Sequence, residues 1–208
     1  MNQGIWDMVA GINLLLRPLR EAVTPSAIET IDLVELRGKL RTRLEDLRTA
    51  ITGQHSERDA YFVLFPLTAH CDELVKHLIL DTNCLQWPPL QQELYQVADA
   101  GDLFFEFLDS VLGKPETLPL VYEVYYFCLH DGFRGRYDGN PDRLADYTRR
   151  LREHIRLQPI EVAMPPSHAK TRAIFRLPNY VYYAGAGLLL VLVYVFLTRL
   201  ASTWQPMN

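Results

Sequence analysis

Apolar residues recur at three- and four-residue intervals through most of the chain, the period of helices that bury one face. Ile5, Val9, Ile12, Leu16 and Leu19 share such a face and predict a first helix over 4–22, closed by Thr24 and Pro25. Ser26 with Glu29 reads as a capping box. It opens a second helix whose face runs through Ile31, Val34, Leu40, Leu44 and Leu47 and ends near Gly53. Ser56 is the expected N-cap of a third helix, with Glu57 and Asp59 in its first turn. Pro66 lies inside that helix and should kink it or split it. Trp87-Pro88-Pro89 punctuates the chain before a helix over 90–98, and another follows Gly101 through Leu103, Phe104, Phe107, Leu108 and Leu112. A strongly apolar helix is predicted over 118–130, with Gly132 in the position of a terminating glycine. Asn140 and Pro141 then supply a cap and a first-turn proline for a helix ending near Leu157. No alternating strand pair or Asn-Gly hairpin interrupts the series, so the fold class is all-α, with about seven helices before residue 158.

One stretch departs from this amphipathic pattern. Residues 180–197, YVYYAGAGLLLVLVYVFL, carry no charge on any face. At about 1.5 Å per residue they make a helix of roughly 27 Å, enough to cross the hydrocarbon core of a bilayer. Tyr180, Tyr182 and Tyr183 at one end, with Trp204 beyond the other, match an interfacial aromatic belt. Lys170, Arg172 and Arg176 precede the span and Arg199 alone follows it, which places the larger part in the cytoplasm and about nine residues outside. The expected division is a helical domain (1–157), a proline-containing linker (158–178), a membrane anchor (179–200) and a short external tail (201–208). In the anchor, Gly185 and Gly187 belong to a small-residue patch that lets a second helix approach closely. The span holds no ionisable side chain, so an ion path through it is not expected.

Charge sharpens this polarity. Residues 57–131 hold thirteen acidic side chains and three basic ones, a balance of −10, whereas 132–178 hold ten basic and five acidic, a balance of +5. The basic part lies nearest the expected membrane, where anionic headgroups favour Lys and Arg. No basic stripe is interleaved with exposed aromatics, so nucleic acid is not an expected partner. Cys71, Cys84 and Cys128 form an odd set without paired spacing, which points to free thiols in a reducing compartment.

The densest reactive cluster is His70-Cys71-Asp72-Glu73, followed by Lys76 and His77. It lacks the HExxH or paired Cys/His spacing of a zinc site, so neither a metal nor a cofactor is expected. Cys128 and His130 are two apart on a helix and point in different directions, which excludes them as a nucleophile and base. Salt bridges and core thiols account for the cluster better than catalysis does. The adjacent carboxylates still require either a polar groove or a basic partner. Gly132-Phe133-Arg134-Gly135-Arg136-Tyr137 lacks the GK[ST] ending of a phosphate loop. It reads instead as a helix end: Gly132 as the left-handed cap, Phe133 folding back and Gly135 allowing a second turn. Arg136 is then expected near the helix carbonyls or against the acidic surface.

Several of these segments stand in an order that resembles the TssL/DotU (IcmH-like) family of type VI and type IVB secretion inner-membrane proteins. They are Tyr61-Phe62-Val63-Leu64, the Asp72-Glu73 pair, Trp87, the Gly101-to-Leu108 stretch (similar to GE-x-FF-x-x-L) and Glu123 through Gly132-Phe133-Arg134-Gly135-Arg136-Tyr137 (similar to E…L…GF-x-G-x-Y). The likeness covers residues 28–155, and the anchor falls where the family has one. Pro66 and His70-Cys71 depart from the smoother apolar run that usually precedes the acidic pair.

The resemblance implies a hook-like cytoplasmic domain of two packed three-helix-type bundles, a C-terminal transmembrane helix and a homodimer. It implies a TssM-like inner-membrane partner, a baseplate with TssK-like and TssE-like proteins, and no catalytic residues. Asp72 and Glu73 become the partner-binding candidates, and Gly132, Phe133, Gly135, Arg136 and Tyr137 a structural motif. The expected short periplasmic tail leaves no room for the peptidoglycan-binding domain that some members carry. The chain therefore reads as a tail-anchored scaffold of a type VI system and not an enzyme. The alternatives are a type IVB stabilising factor and a tail-anchored helical enzyme using His70 and Cys71.

Overall fold

The structure, a computed structural model, describes residues 3–22, 24–79 and 87–157. The linker, the anchor with Gly185 and Gly187, the tail and Cys84 lie outside these residues. Among the described residues there is no strand, and no helix is long and apolar enough to cross a membrane. The helices are α1 (Gln3–Glu21), α2 (Pro25–Glu29), α3 (Leu33–Thr52), α4 (Glu57–Ile79), α5 (Leu90–Tyr95), α6 (Ala100–Leu112), α7 (Pro119–His130) and α8 (Pro141–Leu157). A 3-10 turn, Gly135–Tyr137, precedes α8.

α4 is the axis of the unit. It packs against α1 and α3 on one side and against α5, α6 and α7 on the other, while α8 covers α7 and α6. Both helix groups therefore share one central member, and their apolar side chains form one continuous core. From Val63 to Asp72 every residue of α4 is buried, which is why this helix has no polar stripe.

The same burial explains Pro66. A proline inside a helix costs about 3 kcal/mol and removes one hydrogen bond, yet α4 runs unbroken for 23 residues. Neighbours on every side hold the helix together where an isolated one would part.

The second expected helix is instead two. Thr24, not Ser26, caps α2, its hydroxyl accepting from Ala27 N at 3.3 Å. The chain then breaks, and Asp32 caps α3 by accepting from Glu35 N at 2.9 Å. This restart shifts the helical phase: Leu33 and Leu36 enter the core, and Val34, expected there, is 83% exposed. α5 is shorter than expected because Gln96 adopts a left-handed conformation (φ 59°) and closes it. Ser56 and Asp59 form a reciprocal cap at the start of α4, Asp59 N donating to Ser56 Oγ and Ser56 N to Asp59 Oδ2.

Polar clamps join the ends of the helices. Asp131, the residue that caps α7, accepts from both guanidinium nitrogens of Arg20 on α1 and from Nε2 of His70 on α4, the latter at 2.8 Å. His70 is almost fully buried, with Phe127 and Phe133 packed edge-on against its ring. Trp6 of α1 donates to Glu123 of α7 at 2.9 Å.

Burial alone would raise the Asp131 carboxyl, but hydrogen bonds from His70 and Arg20 outweigh it and hold the group well below the usual carboxylate range. A carboxyl depressed by folding adds stability that is complete above its unfolded value of about 4 and is lost as pH falls below it. Asp131→Asn is expected to lower the urea midpoint at pH 7, and the gap between variant and parent should shrink as the pH is taken below about 4. A pH-independent gap would count against the clamp.

Candidate functional site

Asp72 and Glu73 are neighbours on α4, so their side chains leave the helix about 100° apart and meet different elements. Asp72 points inward and is 1% exposed. Its Oδ1 accepts from Trp87 Nε1 at 2.7 Å and from Leu90 N at 2.9 Å, and its Oδ2 accepts from Gln91 N at 2.7 Å. Leu90 and Gln91 open α5, where backbone N–H groups have no helical partner. Pro89, at the cap position, offers no side-chain acceptor. Asp72 thus caps α5 from another helix. Burial pushes its pKa up, against the hydrogen bonds from Gln91, Leu90 and Trp87.

Glu73 points the other way. Its two carboxylate oxygens accept from Arg134 N at 2.7 Å and from Gly135 N at 2.8 Å. The loop it holds is built by the end of α7. Gly132, at φ 105°, lets Gly132 N bond Leu129 O and Phe133 N bond Cys128 O, the paired bonds of a Schellman ending. Phe133 folds back onto Phe104, ring centroids 4.1 Å apart, and is buried. Gly135 (φ 48°) lies against Gly101 at the start of α6, and a Cβ there would stand 2.8 Å from Gly101 O. The two motif glycines are therefore in backbone-to-backbone contact, which only residues without side chains permit.

Tyr137 meets Phe105 edge-on at 4.6 Å. The Arg136 guanidinium stands over the rings of Phe105 and Tyr137, at 5.7 and 5.1 Å, on a groove that Asp99 and Asp102 also line. Aromatic faces this close attract a guanidinium while leaving it wet. Tyr147 of α8 donates to both oxygens of Asp109 on α6, closing the packing around the loop.

Two grooves flank Glu73. One, of about 380 Å³, is lined by His70, Leu74, His77, Gly132, Arg134 and Asp138. The other, of about 370 Å³, includes Lys76, Gln91, Asp99, Asp102 and Arg136. Asp72, expected as a contact residue, has its carboxylate inside the protein, so its effect on this surface runs through α5. Glu73 lines both grooves with its two oxygens already engaged. No group of three metal-ligating side chains occurs among the described residues. Burial, aided by the neighbouring Asp72 charge, pushes the Cys71 thiol up to about 12, and burial likewise raises Cys128.

The family model described as type VI secretion system protein DotU matches residues 7–200. The chain belongs to the DotU family. No curated protein matches it. Its fold is similar to the solved structure of DotU from Francisella novicida, with a TM-score of 0.65 and 23% identity over 74% of this chain and 99% of that one. It is also similar to the cytoplasmic domain of TssL from Acinetobacter baumannii, with a TM-score of 0.58 and 22% identity over 73% of this chain and 96% of that one. At such identities the likeness establishes the fold alone.

For a DotU-family chain the motif order thus acquires a physical meaning: Trp87 bonds the acidic pair, the acidic pair bonds the GFRG loop, and that loop rests on the glycine before the FF pair. Sequence reasoning missed the partner of each. The one available signal was the pair of glycines lying outside helix interiors.

Removing Asp72 leaves three inward-facing donors without an acceptor, so Asp72→Ala should cost about 3 kcal/mol or more in denaturant unfolding. Gly135→Ala should destabilise the loop, and Glu73→Ala should speed hydrogen exchange at the Arg134 and Gly135 amides while leaving α5 protected. Unchanged exchange at those two amides would contradict the brace.

Proposed function

We propose that the chain is a non-catalytic, single-pass scaffold of the bacterial inner membrane, joining the membrane complex of a type VI secretion system to its cytoplasmic baseplate. DotU-family membership and the uncharged stretch at 180–197 support this reading. So does the likeness to a TssL cytoplasmic domain.

The observation that carries it is the match to the DotU family over residues 7–200, a range that takes in both the helical domain and the uncharged stretch. α8 begins just after the 3-10 turn beside Glu73 and runs back along α7, ending with His154 against Tyr122, ring centroids 5.0 Å apart. Tyr122 in turn donates to the Lys114 carbonyl between α6 and α7. The chain therefore leaves the described helices at Leu157, at the end away from the Glu73 grooves. A helix of 17 residues spans about 25 Å at 1.5 Å per residue.

On this reading the baseplate, through TssK-like or TssE-like proteins, meets the surface that Asp72 and Glu73 hold in shape. The TssM-like partner meets the chain at the membrane, and Gly185 and Gly187 provide a contact between two spans. Cys71 and His70 take no catalytic part: the thiol is buried and its ionisation is suppressed, and the imidazole is committed to Asp131.

Lys76→Glu combined with Arg134→Glu changes only exposed side chains on the groove walls. Purified from membranes, the tagged full chain with both changes should retain its TssM-like partner and lose at least tenfold in recovered baseplate protein. Equal recovery of the baseplate would overturn the assignment of this face. Release of the parent chain by alkaline extraction would overturn the anchor.

A further inference from the structure

α1 carries a second pattern on the side turned away from the core. Ile5, Ile12 and Leu19 are buried, and opposite them Gln3, Asp7, Ala10, Leu14, Arg17 and Glu21 are exposed. These six alternate at four- and three-residue steps, the spacing of a heptad seam. Leu14 is 62% exposed, whereas most large apolar side chains of the described residues are covered. Beside the seam, Gly4 and Gly11 have open space where a Cβ would stand, so a partner can come close to the helix backbone there.

The seam is complementary to its own reverse. Residues equidistant from Ile12 share a layer when two such helices run antiparallel. Asp7 then faces Arg17 of the other copy, Ala10 faces Leu14, and Gln3 faces Glu21. Leu14 meets the small Ala10, and each full charge of the central layers meets its opposite, twice over because of the two-fold axis. A parallel pair would stack Asp7 on Asp7, Arg17 on Arg17 and Leu14 on Leu14.

We propose that α1 is a docking surface for a second copy of this chain, packed antiparallel about a two-fold axis level with Ile12. Within one copy Arg17 pairs with Glu21 at 2.6 Å and Gln3 with Asp7 at 3.2 Å. Such exposed pairs contribute little, so exchanging them across the axis costs little. A seam on one 19-residue helix buries less than the roughly 800 Å² per partner of a stable soluble complex. The contact therefore depends on confinement of both copies at a membrane, and in this respect it rests on the anchor proposed above.

The test uses the full chain in membranes with Cys84→Ser, leaving only the two buried thiols. Oxidation of a mixture of differently tagged Ala10→Cys and Leu14→Cys chains should give more mixed cross-link than either self cross-link. In the mixed pair, Asp7→Arg alone in both chains, or Arg17→Asp alone, should reduce cross-linking several-fold, and the two changes together should restore it. A surface merely needed for folding would not show that restoration. Failure to restore, or a predominant Leu14→Cys self cross-link, overturns the antiparallel contact. Alkaline extraction reports the anchor separately: a retained chain that does not cross-link removes the α1 contact and leaves the anchor standing. If the chain is released, the same charge exchange, repeated at raised protein concentration, decides the contact on its own.

Discussion

Backbone N–H groups outside regular structure have to find acceptors, and here two adjacent carboxylates on one helix supply them. Asp72 serves the first amides of α5 and the Trp87 indole; Glu73 serves two amides of the loop after α7. Neither segment is long enough to hold itself, since α5 has six residues and the loop has a single 3-10 turn. Their positions are set by α4, the helix with the most complete burial. The surface at this end of the molecule is thereby a consequence of core packing transmitted through two side chains.

The loop adds a steric condition to the electrostatic one. Glu73 can reach both amides only if Gly135 approaches Gly101 without a side chain between them. Phe133 and Tyr137 then fill the space over Phe104 and Phe105, and Arg136 closes the aromatic layer from outside. At the end of α7, Arg20 and His70 converge on Asp131 and tie α1 and α4 to the residue where the loop begins. A buried carboxylate satisfied from several elements is costly to disturb and specifies one arrangement of those elements.

Much of the architecture was legible in the residues. The first helix and its five buried positions, the Ser56 cap, the Gly132 ending and the Asn140-Pro141 start follow from local periodicity and capping chemistry, and the structure has all of them. The break at Thr30–Asp32 was not legible, because Ser26 and Glu29 satisfy a capping pattern equally well on paper. What decides between them is that the later phase buries Leu33 and Leu36. Pro66 is the reverse case, a local penalty overruled by contacts that no window of sequence contains. Three of the thirteen acidic side chains of the middle region, Asp72, Glu73 and Asp131, are not free surface charge, since their oxygens are engaged internally.

By itself the sequence determined the all-helical class, the faces of its longer helices and an uncharged stretch of membrane-spanning length, because each depends on neighbours within a few residues. Only the tertiary structure decided what the acidic pair does. Two carboxylates side by side on a helix can face a groove, a partner or a backbone. The choice was made by where Trp87, Leu90, Gln91, Arg134 and Gly135 come to rest, residues up to 62 positions away whose amides required an acceptor once water was removed.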